Sequence, residues 1–179
     1  MHDEHATMST VLREADHVGL RYERRLAHSP QKVWRALTES DQLRHWMPCD
    51  LVGERREGAA LQLPFWPAQV ERYGIEEPAL HGEIRVWRPP EVFEWTWDTD
   101  VLRWELQPDG RGTVLTFTTW FGQPDAAAAA NAAAGYHVCL DQLAELLDTG
   151  SVGPLEDADV SSWEGRYTKA VATAAEGAR

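Results

Sequence analysis

Hydrophobic positions recur every three or four residues over one long stretch in the second half of the chain. Residues 126–147 read AAAAANAAAGYHVCLDQLAELL, in which Ala, Leu, Gln and Glu are strong helix formers. The apolar side chains that fall on one helical face are Tyr136, Leu140, Leu143 and Leu147. Residues 124–125, Pro-Asp, can cap the start and Gly150 can end the helix. The pattern predicts a helix of about 22 residues and roughly 33 Å.

Most of the chain before this helix alternates apolar and polar residues, which is typical of strands with one buried face. The clearest case is Phe93, Trp95 and Trp97, which share one face. The predicted strands begin at Val18 and continue with a weak one at Leu51–Arg56, then Ala59–Phe65, Leu80–Trp87, Val92–Asp98, Leu102–Leu106 and one around Leu115–Phe117. In Leu80–Trp87 the apolar face is expected to hold Leu80, Ile84 and Val86. Short turns between the later strands favour an antiparallel meander.

Two short helices are predicted after the first strand. Ser29 followed by Pro30 is a typical helix start, and a second helix is expected over Ser40–Trp46. Residues 66–78 are polar with two prolines and a glycine, so we interpret them as a long loop near one end of the sheet. A last helix is expected over residues 161–175.

These elements predict an α+β fold in which a curved antiparallel sheet grips the long C-terminal helix, because only that helix can cover the aromatic face of the sheet. We expect a flexible N-terminal tail over residues 1–16, one domain over 17–150 and a C-terminal extension over 151–179.

Charge narrows the range of partners. The chain has 17 basic and 29 acidic residues and a net charge of −12, which repels nucleic acid and anionic lipid surfaces. No apolar run approaches the ~20 residues of a membrane span, and the N-terminus lacks the features of a signal peptide. We therefore expect a soluble, cytoplasmic protein. Cys49 and Cys139 have no metal-binding or redox spacing around them.

Four stretches, in order, resemble the START-like superfamily, also called SRPBCC or Bet v 1-like, in its branch named for the activator of Hsp90 ATPase. They are SPQKVWRALTESDQLRHWMP, HGEIRVWRPPEVFEWTW, PDGRGTVLTFT and GYHVCLDQLAELLDTG, and together they span most of residues 20–150. The resemblance implies a helix-grip fold with the order β-α-α-β(six)-α and a cavity between sheet and long helix. It does not imply one reaction, since relatives include lipid and hormone carriers, polyketide cyclases and co-chaperone domains. The 66–78 loop and the helix after Gly150 depart from the usual pattern of the branch.

A cavity of this kind predicts an apolar lining that suits a hydrophobic or aromatic ligand, and no cofactor or metal is expected. For each lining residue the alternative is core packing alone. The predicted ligand-binding residues are Trp46, Phe65, Trp95, Trp97, Trp104, Phe117, Tyr136 and Leu140. Gly135 interrupts an alanine-rich helix and either opens space over the cavity or allows close packing against the sheet.

Three functions remain open on the sequence. The first is a carrier or sensor of a hydrophobic, lipid-like or polyketide-like molecule. The second is an enzyme resembling polyketide cyclases or dehydratases, for which only Tyr136, His137 and Arg24 are acid–base candidates. The third is a domain that regulates a chaperone of the Hsp90 type. No nucleophile elbow, phosphate-binding loop, dinucleotide fingerprint or zinc-protease motif is present.

Overall fold

A single antiparallel sheet of seven strands forms the frame of the molecule in the computed structural model, which describes residues 9–14, 17–122 and 126–176. The strands are β1 (Thr10–Glu14), β2 (His17–Leu26), β3 (Ala60–Pro64), β4 (Ala79–Arg88), β5 (Val92–Trp97), β6 (Asp100–Asp109) and β7 (Gly112–Phe121). The helices are α1 (Pro30–Thr38), α2 (Ser40–Leu43), α3 (Pro67–Tyr73), α4 (Ala126–Thr149) and α5 (Ser161–Glu176), with a 3₁₀ turn at Leu155–Asp157. The strand order is β1-β2-β7-β6-β5-β4-β3, and the long helix α4 packs with the buried face of this curved sheet. The predicted helix-grip α+β class is confirmed.

The two short helices occur where the sequence predicts them. The hydroxyl of Ser29 accepts a hydrogen bond from the backbone N–H of Lys32 at 3.3 Å, and Pro30 is the first helical residue. Val33 and Leu37 are then buried on the inner side of α1. The second helix is shorter than predicted, because regular α-helix ends at Leu43.

The strand register places one row of aromatic rings across the middle of the sheet. Tyr22 pairs with Phe117, Phe117 with Trp104, and Trp104 with Phe93. All four side chains are at most 2% exposed. The period-two pattern of the sequence therefore predicted the buried face of these strands correctly.

The long helix ends at Thr149 because Gly150 adopts a left-handed conformation with φ 76°. The Gly150 N–H donates to the carbonyl of Leu146 at 2.8 Å. The predicted start at residues 124–125 lies outside the described residues.

Three predicted secondary-structure assignments are wrong, in addition to one predicted strand face. Thr10–Glu14, assigned to the flexible tail, forms strand β1 and pairs with β2. Leu51–Arg56 is not a strand and contributes only an isolated bridge between Val52 and Gln62, so five strands rather than six follow the short helices. The 66–78 segment contains helix α3, because Pro67 suits a first turn and Gly74 ends the helix with φ 60°.

A bulge in β4 changes which side chains face inward. The register shifts between Ile84 and Val86, so Trp87 rather than Val86 pairs with Phe93. The Trp87 ring then packs against Trp34 with centroids 5.1 Å apart. The prediction that Val86 shares a face with Ile84 is wrong. It assumed strict alternation of side chains along the strand, and the bulge inserts one extra residue.

Helix α5, where the sequence predicts a last helix, packs along α4 and also contacts the sheet, since Tyr167 packs against Tyr22 of β2. Tyr167 and Val171 are buried on this contact face. The division into a domain over 17–150 and an extension stays a prediction. No helix in the described ranges has both the length and the hydropathy to cross a membrane.

Candidate functional site

A cavity of about 370 Å³ opens beside α4 at one end of the sheet. Its walls come from Ala132, Gly135 and Cys139 of α4, from Trp97 at the end of β5, and from Tyr73 of α3. Leu155 and Val160, which follow α4 in the chain, close another side. Most of the lining is apolar, and the volume is within the range of small-molecule pockets.

Two of the eight predicted ligand-binding residues line this cavity. They are Trp97 and Tyr136, which approach it from the sheet and from α4 respectively. Phe65 is not part of the lining, but the centroid of its ring lies 5.8 Å from that of Trp97.

The other predicted residues form packed core. The Trp104 and Phe117 rings stack with centroids 3.9 Å apart, and Trp46 meets Trp104 edge to face at 5.6 Å. The indole N–H of Trp46 donates to the carbonyl of Ala36 at 2.9 Å. Trp95 and Leu140 are also buried, at 1% and 2% exposure. The geometry therefore assigns Trp46, Trp95, Trp104, Phe117 and Leu140 to packing rather than to the cavity surface.

Gly135 is a place where helix α4 leaves room. A Cβ atom added there would meet no heavy atom within 4 Å, and Gly135 lines the cavity. Of the two alternatives for this glycine, open space rather than close packing is what the structure shows.

Two polar side chains of the cavity lining have unused hydrogen-bonding groups among the described residues, namely the buried indole N–H of Trp97 and the side-chain amide of Gln69. Gln69 of α3 is 5% exposed and lines the cavity, and its side-chain amide makes no hydrogen bond to any residue that the structure describes. Gln69 also borders a second, more polar groove next to Arg44 and His45. An amide in this position presents both a donor and an acceptor.

The cavity mouth carries negative charge. The side-chain amide of Asn131 donates to a carboxylate oxygen of Glu164 at 2.9 Å, and both residues border the cavity. Glu164 is the one charged residue in the lining over the described part of the chain, so no cationic side chain is available there for an acid.

Burial holds two titratable groups of the lining, the Tyr136 phenol and the Cys139 thiol, in their neutral forms. Burial raises the pKa of the Tyr136 phenol, and the nearby charge of Asp100 raises it further. Burial also raises the pKa of the Cys139 thiol to about 12. Neither group is therefore a ready nucleophile or base at neutral pH.

A second polar cluster lies where α4, α5 and β2 meet. The His137 ring is fully buried, and its Nδ1 shares a hydrogen bond of 2.8 Å with the Tyr167 hydroxyl. The ring also stacks on Trp163, with the two ring centroids 3.5 Å apart. Its Nε2 lies 3.4 Å from Asp141, and Arg24 lies 3.9 Å from the same carboxylate. Burial, followed by the charges of Arg24 and Arg166, lowers the pKa of His137 to about 4.

The three acid–base candidates are consequently separated. Tyr136 borders the cavity, whereas His137 and Arg24 belong to the cluster that joins α4 to α5 and β2. The described residues also include no group of three or more His, Cys, Asp or Glu side chains placed to hold a metal ion.

Sequence reasoning missed the side of the cavity formed by α3 and the C-terminal extension. Gln69 and Tyr73 were placed in a loop, and Leu155 and Val160 in an extension without assigned contacts. The Pro67-to-Gly74 spacing could have predicted a short helix, but no local pattern indicates that this helix lies beside α4.

Comparison with known proteins places the chain in a family. Residues 27–148, more than half of the sequence, match the family model described as activator of Hsp90 ATPase homolog 1-like protein. The chain therefore belongs to this family. A search of the curated proteins found no match.

Solved structures share the fold over three quarters or more of the chain. A conserved protein of unknown function from Enterococcus faecalis, EF2215, is 22% identical with a TM-score of 0.76, covering 92% of this chain and 91% of its own. The solution structure of CalU16 from Micromonospora echinospora is 16% identical with a TM-score of 0.71 over 100% of both chains. The Aha1 dimer from Colwellia psychrerythraea is 17% identical with a TM-score of 0.59, covering 75% of this chain and 98% of its own.

Proposed function

We propose that this protein binds a hydrophobic or aromatic small molecule in the cavity beside α4 and acts as its carrier or sensor. The observation that carries this proposal is the 370 Å³ space itself, bordered by Trp97, Tyr136 and Gly135. A site of this volume and apolar character buries the greater part of a small ligand. Gly135 adds support, because a side chain at that position would project into the space rather than into a neighbour.

Carriage fits the chemistry of the lining better than catalysis does. An enzyme of the cyclase or dehydratase kind needs an acid and a base in reach of one substrate. Of the candidates only Tyr136 borders the cavity, and the pKa of its phenol is raised by burial. The binding role requires no such pair.

Native mass spectrometry of the purified protein tests the proposal directly. We expect a bound apolar compound that is released on denaturation and can be identified by its mass. A protein without any bound compound that also fails to take up neutral aromatic probes would contradict the proposal.

A cavity-filling variant makes the test specific. Gly135→Leu should place its side chain in the open space and abolish uptake, since no heavy atom lies within 4 Å of the added Cβ. Gly165→Leu is the matched control, because Gly165 is also helical with open space around it but does not line the cavity. Equal uptake by both variants would place the ligand elsewhere.

A second candidate, regulation of a chaperone of the Hsp90 type, is favoured by the description of the family. It predicts co-purification with an Hsp90 homologue and a change in the rate of its ATPase. The absence of both effects would exclude this role while leaving the carrier proposal intact.

A further inference from the structure

The polar groups of the cavity restrict the chemical class of its occupant. We propose that the cavity takes a neutral aromatic molecule bearing a carbonyl or hydroxyl group, that the Gln69 amide is the hydrogen-bonding partner of that group, and that carboxylic acids are excluded. This inference rests on the proposed function and deepens it.

Gln69 is a polar side chain of the cavity lining whose amide can bind a ligand. Buried polar side chains are normally hydrogen-bonded, because an amide removed from water without a partner costs free energy. Gln69 is 5% exposed and borders the cavity, and its amide, which keeps contact with the open space, has no side-chain partner in the described ranges. A ligand oxygen in the cavity would satisfy the amide, and the amide would in turn fix the orientation of the ligand.

The rest of the lining is mostly apolar and partly aromatic. Trp97 and Tyr136 present aromatic surface, and Gly135 presents backbone with open space above it. Aromatic walls pack well against another aromatic ring, in offset-stacked or edge-to-face geometry. The apolar part of the occupant is therefore expected to be a fused or linked ring system rather than a flexible alkyl chain.

The charge of the cavity lining is negative. Glu164 is the charged residue at the cavity mouth, and over the described residues no Lys, Arg or His borders the cavity. A ligand carboxylate would lose its hydration, find no cation and face a like charge. The net charge of −12 adds to this repulsion over longer distances. The charge of the site therefore selects against fatty acids and aromatic acids.

Competition against the neutral fluorophore N-phenyl-1-naphthylamine tests the hydrogen bond, the aromatic lining and the exclusion of acids together. Fluorene, 9-fluorenone and fluorene-2-carboxylic acid share one ring system and differ in the polar group. We expect 9-fluorenone to displace the fluorophore at about threefold to tenfold lower concentration than fluorene, the effect of one net hydrogen bond. The carboxylic acid should be at least roughly thirtyfold weaker than 9-fluorenone at neutral pH.

The variant Gln69→Leu assigns the effect to the amide. It should remove the preference for 9-fluorenone over fluorene and leave the affinity for fluorene close to that of the parent protein. Gln107→Leu is the matched control, because Gln107 is an exposed residue of β6 outside the cavity lining. The ratio measured in the unmodified protein tests the inference even if Gln69→Leu does not fold.

The possible failures are distinguishable. If no neutral probe binds, the proposed function fails and the inference with it. If fluorene and 9-fluorenone bind equally, or the Gln69→Leu variant keeps the preference, the assignment of Gln69 is overturned while the cavity remains a binding site. If the carboxylic acid binds as well as the ketone, the exclusion of acids is overturned.

Discussion

Gly135 is a helical residue that can be changed without a steric penalty. Glycine in a helix interior is less favourable than alanine by about 1 kcal/mol, and nothing lies within 4 Å of the Cβ that alanine would add. We expect Gly135→Ala to raise the free energy of unfolding by about 1 kcal/mol, measured by urea denaturation.

The control for this prediction is a glycine with no room. In Gly82→Ala the added Cβ would collide with the backbone carbonyl of Thr96, so this variant should be clearly less stable than the parent protein. A loss of stability in Gly135→Ala would mean that the open space at this position is filled in solution.

His137 is a buried residue that should make stability depend on pH. Its pKa falls from the ordinary value of 6.5 to about 4, because burial, and after it the charges of Arg24 and Arg166, disfavour the protonated ring. The unfolded chain therefore takes up a proton first as the pH falls. The stability that the neutral ring contributes is complete above pH 6.5 and is lost progressively toward pH 4, by at most about 3 kcal/mol.

Measuring the unfolding free energy at several pH values tests this behaviour. His137→Gln should flatten the dependence between pH 6.5 and 4, whereas His81→Gln, at an exposed position of β4, should retain it. Titration of the His137 ring by NMR with a pKa near 6.5 would contradict the prediction.

At the scale of elements, α5 is held against α4 by a small number of buried side chains. Tyr167 is fully buried, and its hydroxyl contacts His137 Nδ1 at 2.8 Å and the Ser9 N–H at 3.3 Å. Truncation of a buried aromatic side chain costs roughly 3–5 kcal/mol. We expect Tyr167→Ala to loosen α5 and increase hydrogen exchange of its backbone amides, with a smaller effect in the sheet.

Lys169→Ala is the control on the same helix, because Lys169 is exposed and makes no buried contact with α4. Its exchange rates should match those of the parent protein. Unchanged protection of α5 in Tyr167→Ala would show that the helix is held by other contacts.

Some secondary-structure elements could be predicted from the sequence and others could not. The alternation in Val92–Asp98 predicted the inward rings Phe93 and Trp95, because each strand side chain points to one face or the other. The β4 bulge was missed, since a shift of register between Ile84 and Val86 depends on how two strands fit together. Helix α3 was missed because a seven-residue helix leaves too short a periodic signal.

At the scale of the whole molecule, the cavity is bordered by separate parts of the fold. Its walls include α3, the end of β5, α4 and the segment before α5. A ligand that bridges these elements binds only the folded state and must stabilise it. At a concentration about 100 times its dissociation constant, N-phenyl-1-naphthylamine should stabilise the fold by about 2.7 kcal/mol and raise the Tm by roughly 5–10 °C.

Thermal unfolding with and without the fluorophore measures this shift. Gly135→Leu should show no shift, because its side chain fills the space, whereas Gly165→Leu should behave as the parent protein does. A shift of the same size in Gly135→Leu would assign the binding to another surface.

The sequence alone determined the class of fold, the long helix and the aromatic face of the sheet, because these follow from periodicity and from residue propensities along the chain. It also determined the family, through four ordered stretches within residues 20–150. The tertiary structure decided which aromatic rings are filled core and which border a cavity. Trp104 and Trp97 have the same inward parity, yet one stacks on Phe117 and the other borders open space. That difference arises from what packs opposite each ring, and the partners of a residue across the core are set by the assembled elements rather than by its own neighbours in sequence.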